Sequence, residues 1–294
     1  MRHSRWLVGA LLAGVVGGQA LAYNVFSYGG NQALKWGDNT VGTPGGVVTW
    51  SLMSQGTTVD PADTSIDWIT GTSDLASVFS RVGGEATALS LMQGAFNTWS
   101  SLANVTFAQV AETGSVPFSA AYGDVGTNVI GHIRIGAFNI DGFSAAVGFA
   151  APPNGGRTLE GDIIFNSRAD ISYYVAPGNE GDLYDLYPPG GGFYRNDFQG
   201  LFVHELGHAL GLAHSAVPSA LMCGYVSAGF DGSACAYFDP DLDGKTPINR
   251  FPDADDIAGI QFLYGPAPVP EPETWALLLA GLGLVGYAAR RRRK

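Results

Sequence analysis

The feature that most constrains this chain is the stretch His204 to His214, which reads HELGHALGLAH. Two histidines four positions apart on a helix are separated by roughly 6 Å of rise and about 40° of rotation, so His204 and His208 point their imidazoles the same way. Glu205 sits next to that pair, where a carboxylate can take a proton without serving as a ligand. Gly211 stands where a glycine can adopt the left-handed conformation that ends a helix, and the chain can then return His214 as a third nitrogen donor. Three protein ligands leave the fourth position of a tetrahedral zinc open, which is the catalytic arrangement and not the closed structural one.

This is the long signature HExxHxxGxxH, and it resembles that of the metzincin zinc peptidases. A bare HExxH is weak evidence, but the added glycine and third histidine at fixed offsets make coincidence improbable. Other segments extend a resemblance to the matrixin branch in patches from about Lys35 to Gly265. They include Ala33-Leu34-Lys35-Trp36, the run AFNTWSSLANVTFAQV, the continuation HALGLAHS, and DDIAGIQFLYG near the end of the domain. The resemblance implies an α+β, zincin-like domain with a twisted, mostly parallel sheet, one antiparallel edge strand, an active-site helix and a C-terminal helix. It also implies one catalytic zinc on His204, His208 and His214, with Glu205 as general base.

The local patterns read consistently with that architecture. Val47 to Met53 is a strand; Glu85 to Leu102 has the helical spacing Leu89, Met92, Ala95, Phe96 and Trp99 and leads into the strand Val105 to Val110. Asn128 to Phe138 and Gly161 to Asn166 read as strands, and Ala145 to Ala150 occupies the place of the matrixin edge strand, where an extended peptide could add. Residues 54 to 84 give no clear motif. Asn196 or Asp197 can cap the helix that carries the histidines, and Asp253 the last one. Met222 falls where metzincins place a methionine turn beneath the metal, although Gly224 and Tyr225 depart from the usual matrixin order.

Two further metal readings come from the same comparison. The resemblance places histidines for a second, structural zinc where this chain has Gly148 and Ile164, and His132 cannot build such a site alone, so none is expected. Calcium stays open at two places. Asp162 and Asn166 offer oxygen ligands or are solvated surface groups, and Asp239-Pro240-Asp241-Leu242-Asp243-Gly244 starts like an EF-hand loop. Its twelfth position is Arg250 instead of Glu, leaving Asp253 or a carbonyl to close it. The aromatic-rich loop 170 to 195, with Tyr173, Tyr174, Tyr184, Tyr187, Phe193 and Tyr194, either lines the cleft or covers the core.

The two ends read differently from the middle. Residues 1–22 carry Arg2 and Arg5, a short apolar run and the small residues Ala20 and Ala22, a secretory signal peptide more than an anchor. Residues 267–294 combine Val269-Pro270-Glu271-Pro272, an apolar run from Trp275 to Ala289 and a basic end, and this resembles a PEP-CTERM sorting tail of Gram-negative bacteria. That resemblance implies an exosortase partner, transient inner-membrane association and an exported, cell-surface or exopolysaccharide-associated product; a retained single-span anchor is the alternative. Between the ends, Tyr23 to Pro270 holds 8 basic and 24 acidic residues, a formal charge of −16 that argues against nucleic-acid partners. Cys223 and Cys235, the only cysteines, read as one disulfide or as two free thiols.

Together these readings give residues 23–266 as a secreted zinc-dependent endopeptidase domain acting on extracellular proteins or peptides through a zinc-activated water. The alternative is a noncatalytic extracellular-matrix or biofilm protein on the same fold. No cysteine precedes the domain, so the cysteine-switch latency of animal matrixins is not expected.

Overall fold

The computed structural model describes residues 23–142, 144–187, 195–226, 230–231, 235 and 244–268, with isolated positions 278–282, 284 and 290 near the end. The signal-peptide reading, Phe193, Tyr194, the acidic run from Asp239 to Asp243 and the Pro-Glu-Pro motif lie outside the described residues. Among the described residues no helix is long and apolar enough to cross a membrane.

The central sheet runs Val105–Gln109, Gly46–Leu52, Ile133–Ile140, Ile163–Asn166, Ala146–Gly148 in spatial order. The first four strands are parallel and Ala146–Gly148 closes the edge antiparallel. The two residues Ile69–Thr70 add a second short antiparallel pairing on the end of Ile133–Ile140. Parallel strands need both faces covered, and the sequence supplies side chains for both. Ile133, Ile135, Ala137, Ile163 and Phe165 enter the main core, whereas Phe138, Ile140 and Ile164 enter a smaller cluster on the opposite face with Met53 and Phe118.

Helix α1 (Leu75–Ser80) falls in the stretch that gave no motif; Asp74 caps it by accepting from Ser77 N, and Leu75, Val78 and Phe79 are buried. At six residues it is too short for apolar periodicity to stand out. Helix α2 (Glu85–Leu102) buries Ala88, Met92, Ala95, Phe96 and Trp99, with Leu89 only half-buried beside them. Helix α3 (Phe198–Ala209) packs on α2, and the Trp99 indole N–H donates to the Val203 carbonyl at 3.0 Å. Helix α4 (Ala254–Tyr264) starts with a reciprocal capping box between Asp253 and Asp256. It ends on Gly265, and its Tyr264 hydroxyl donates to the Leu210 carbonyl at 2.8 Å.

The strand expected from Asn128 begins only at Ile133, because the backbone bonds of the preceding residues go to side chains. Gly131 N donates to Ser51 Oγ and His132 N to Thr49 Oγ1, and the His132 Nδ1 accepts from Thr49 N. Arg134 is fully buried and forks onto both Glu112 oxygens, at 2.7 and 3.0 Å, and onto the carbonyls of Val116 and Pro117. Arg134→Ala is expected to cost about 3–5 kcal/mol, because the Glu112 carboxyl would be left in a buried place without its partner. Denaturant titration measures it, and a loss under about 1 kcal/mol would mean that water reaches Glu112.

Candidate metal centre

Asp197 holds the start of α3 with its carboxylate, accepting from Gly200 N at 3.0 Å, so it and not Asn196 is the cap. One turn apart on that helix, His204 and His208 bring their rings to 4.8 Å between centroids. The helix stops at Leu210, and Gly211 takes φ +104°, a left-handed position in which a Cβ would stand 2.2 Å from the Leu34 carbonyl oxygen. The turn delivers His214, whose carbonyl is pinned by Asn24 Nδ2 at 2.8 Å. The donor nitrogens of His204, His208 and His214 all lie within 4.8 Å of one another. Among the described residues this is the one convergent group of three or more metal-ligating side chains.

The donor set fits a zinc ion. The His208 and His214 Nε2 atoms are 3.2 Å apart, against roughly 3.3 Å between two nitrogens that share a tetrahedral zinc at about 2.0–2.1 Å. The Nδ1 atoms of His204 and His208 meet the carbonyls of Leu221 at 2.7 Å and Leu212 at 2.8 Å. A carbonyl only accepts, so each Nδ1 carries the proton and each Nε2 presents a lone pair inward. Burial lowers the pKa of His204, and burial followed by its two histidine neighbours drives that of His208 well below the ordinary value. Neutral imidazole is the form that binds metal.

Glu205 is 6% exposed, and its Oε2 accepts from Gly148 N at 2.6 Å. Burial raises its carboxyl to about 7, with the Gly148 N–H and His214 pulling the other way. The sequence reading noted Gly148 only as a missing histidine, but the structure gives it a role of its own. A Cβ there would come within 2.3 Å of the Glu205 carbonyl oxygen, so only glycine lets the edge strand lie this close to α3. A glycine inside a strand pattern was the signal that could have revealed it.

Below the histidines, Met222 is buried and its sulfur faces Gly207, where a Cβ would be 2.4 Å away. The turn that carries Met222 is clamped by α4. Asp256 accepts from Leu221 N at 2.7 Å and Met222 N at 3.0 Å, and Asp255 from Ser215 Oγ at 2.6 Å. Cys223 and Cys235 form a disulfide just beyond. The sequence shows these aspartates only as acidic residues in the first turn of the last helix, because their turn partners are distant in sequence.

The calcium readings meet different environments. Asp162 and Asn166 are fully buried, so neither is a solvated surface group. Asn166 spends its amide on four protein bonds, accepting from Ile140 N and Arg168 N and donating to the carbonyls of Ile140 and Ser144, which leaves no lone pair for an ion. Asp162 accepts from Arg134 N at 2.7 Å, and burial pushes its carboxyl well above the usual range. Asp253, offered to close the EF-like loop, caps α4 and accepts from Ser219 Oγ, and Arg250 at the loop's twelfth position pairs with Asp197 at 2.6 Å. Loop 170 to 195 does both things considered for it: Tyr173 is buried on the Ala145 and Asn166 carbonyls, and Tyr184 lines the cleft beside His204.

The chain matches the matrixin family over residues 78–265 and the PEP-CTERM protein-sorting motif over residues 268–293. It is 30% identical over 176 residues to matrilysin of Rattus norvegicus, covering 60% of this chain and 49% of that protein. It is 30% identical over 209 residues to matrix metalloproteinase-16 of Rattus norvegicus, covering 69% of this chain and 28% of that protein. A shorter match of 66 residues to human matrix metalloproteinase-20 is 44% identical and covers 22% and 10%. The chain thus spans about half or less of the length of these relatives. The matched region holds the whole histidine turn, the clamped methionine and most of the sheet that supports them, and on this evidence the chain belongs to the matrixin family.

Proposed function

We propose that this protein is a zinc-dependent endopeptidase of matrixin type, exported by a Gram-negative bacterium, with residues 23–266 as the catalytic domain between a signal peptide (1–22) and a sorting tail (267–294). The observation that carries this reading is the convergence of three imidazole nitrogens beside a buried carboxylate. When bound by His204, His208 and His214, zinc would supply a Lewis acid that polarises a peptide carbonyl and makes water nucleophilic near neutral pH. The chain's own residues do the rest. Glu205 takes the proton of the attacking water and hands it to the departing amide nitrogen. The Gly148 N–H fixes the carboxylate for that exchange. The outer side of Ala146–Gly148 is the edge of the central sheet, so an extended substrate can add to it as a further strand next to the histidines. The sorting motif supports exosortase recognition of the tail and substrates outside the cytoplasm.

The test is metal analysis of the purified chain together with digestion of a broad peptide library, with and without a chelator. One equivalent of zinc and chelator-sensitive internal cleavage are expected. A sorting motif would equally serve a noncatalytic matrix protein on this fold, and a zinc-loaded sample that cleaves nothing would favour that reading.

A further inference from the structure

The cleft wall beside Glu205 is assembled from segments far apart in the chain. Leu183–Asp185 pairs antiparallel with Lys245–Pro247, which puts Tyr184 opposite Thr246, and Arg195 N donates to the Leu186 carbonyl at 2.7 Å. Residues directly opposed on antiparallel strands face the same way, as do alternate residues of one strand. Tyr184, Leu186 and Thr246 accordingly line one cavity of about 470 Å³, which His204 and Glu205 also border.

Two polar side chains of that cavity have no hydrogen-bond acceptor among the described residues. Thr246 is 2% exposed and its hydroxyl has no hydrogen-bond partner among the described residues. Arg195, a lining residue too, lays its guanidinium 5.0 Å from the Tyr174 ring centroid, and among the described residues no carboxylate pairs with it. Asp197, two positions on, is already taken by Arg250. A guanidinium and a buried hydroxyl without acceptors recover hydrogen bonds when an acceptor enters, and carboxylate matches the guanidinium fork best. Leu186 and Leu201 supply apolar wall for the stem of such a side chain.

We propose that Arg195 and Thr246 make this cavity a specificity pocket for a substrate side chain next to the scissile bond that ends in a carboxylate, glutamate above all. The inference rests on the endopeptidase reading. It concerns one side chain only, since the acidic domain as a whole disfavours strongly acidic substrates.

The test compares quenched peptides that differ only in carrying Glu, Gln, Leu or Lys on either side of the cleaved bond, using the zinc-loaded full chain. Glu is expected to exceed Leu in kcat/KM by roughly tenfold at one of the two positions, with Gln between them. That ratio should collapse in Arg195→Ala, invert toward Lys in Arg195→Glu and fall in Thr246→Val; being internal to each variant, it is insensitive to overall losses of folding or activity. Binding of labelled Glu and Leu peptides, followed by anisotropy, gives a second readout that needs no turnover. Cleavage without a Glu preference, or a preference untouched by Arg195→Ala, overturns the pocket assignment and leaves the peptidase reading intact. Arg195-dependent binding of the Glu peptide without any cleavage supports the pocket and sinks the peptidase reading. Neither cleavage nor selective binding overturns both.

Discussion

Glu205→Ala is expected to keep one equivalent of zinc and to lose roughly 10²–10⁴-fold in peptide hydrolysis, the usual scale for removing a general base. The carboxylate stands next to the imidazole cluster and is held by Gly148 N, yet the fit of the three nitrogens does not depend on it. Cutting it back removes a buried acid, so stability should change little or rise, because burial already disfavours its charge. Zinc content and library digestion of the same preparation check both halves. A zinc-loaded Glu205→Ala protein that still cleaves at a substantial rate would take the proton-transfer role from this residue.

Asp256→Ala is expected to cost about 2–5 kcal/mol and to weaken zinc binding by roughly 10–100-fold, although the residue touches none of the three histidines. Its carboxylate accepts from Leu221 N, Met222 N and Asp253 N, and the Leu221 carbonyl in turn holds His204 Nδ1. Without Asp256, two buried N–H groups of the methionine turn lose their partners, and the carbonyl that sets the His204 tautomer is no longer fixed. Thermal melting with and without zinc, alongside a zinc titration, separates the two effects. Asp256→Asn, which keeps one acceptor oxygen, should fall between parent and Ala. Parent-like melting and zinc affinity in the Ala variant would mean that the disulfide and core packing hold the turn unaided.

Sequence reasoning did best where the physics is local. Helix α2 has the bounds that periodicity assigns it, and the caps at Asp197 and Asp253 act within three residues of themselves. Boundaries failed where a side chain replaced a backbone partner, as at Gly131 and His132, and a six-residue helix such as α1 offers too few turns for a pattern. The reading of Asp162 and Asn166 as solvated surface groups failed because alternation in GDIIFN cannot tell a strand buried on both faces from one with a wet face.

For the metal centre itself, the sequence alone determined which three imidazoles converge, since an i, i+4 pair and a glycine turn are set by helix geometry within eleven residues. Only the tertiary structure decided what surrounds them. Gly148 reaches Glu205 across 57 positions, Asp256 reaches Leu221 across 35, and Arg195, strand-paired with Ser172, donates its N–H to the Leu186 carbonyl just past the Leu183–Asp185 and Lys245–Pro247 pair. Such contacts depend on sheet order and helix docking, and nothing in the spacing of a single chain encodes which distant backbone will come within a hydrogen bond of another.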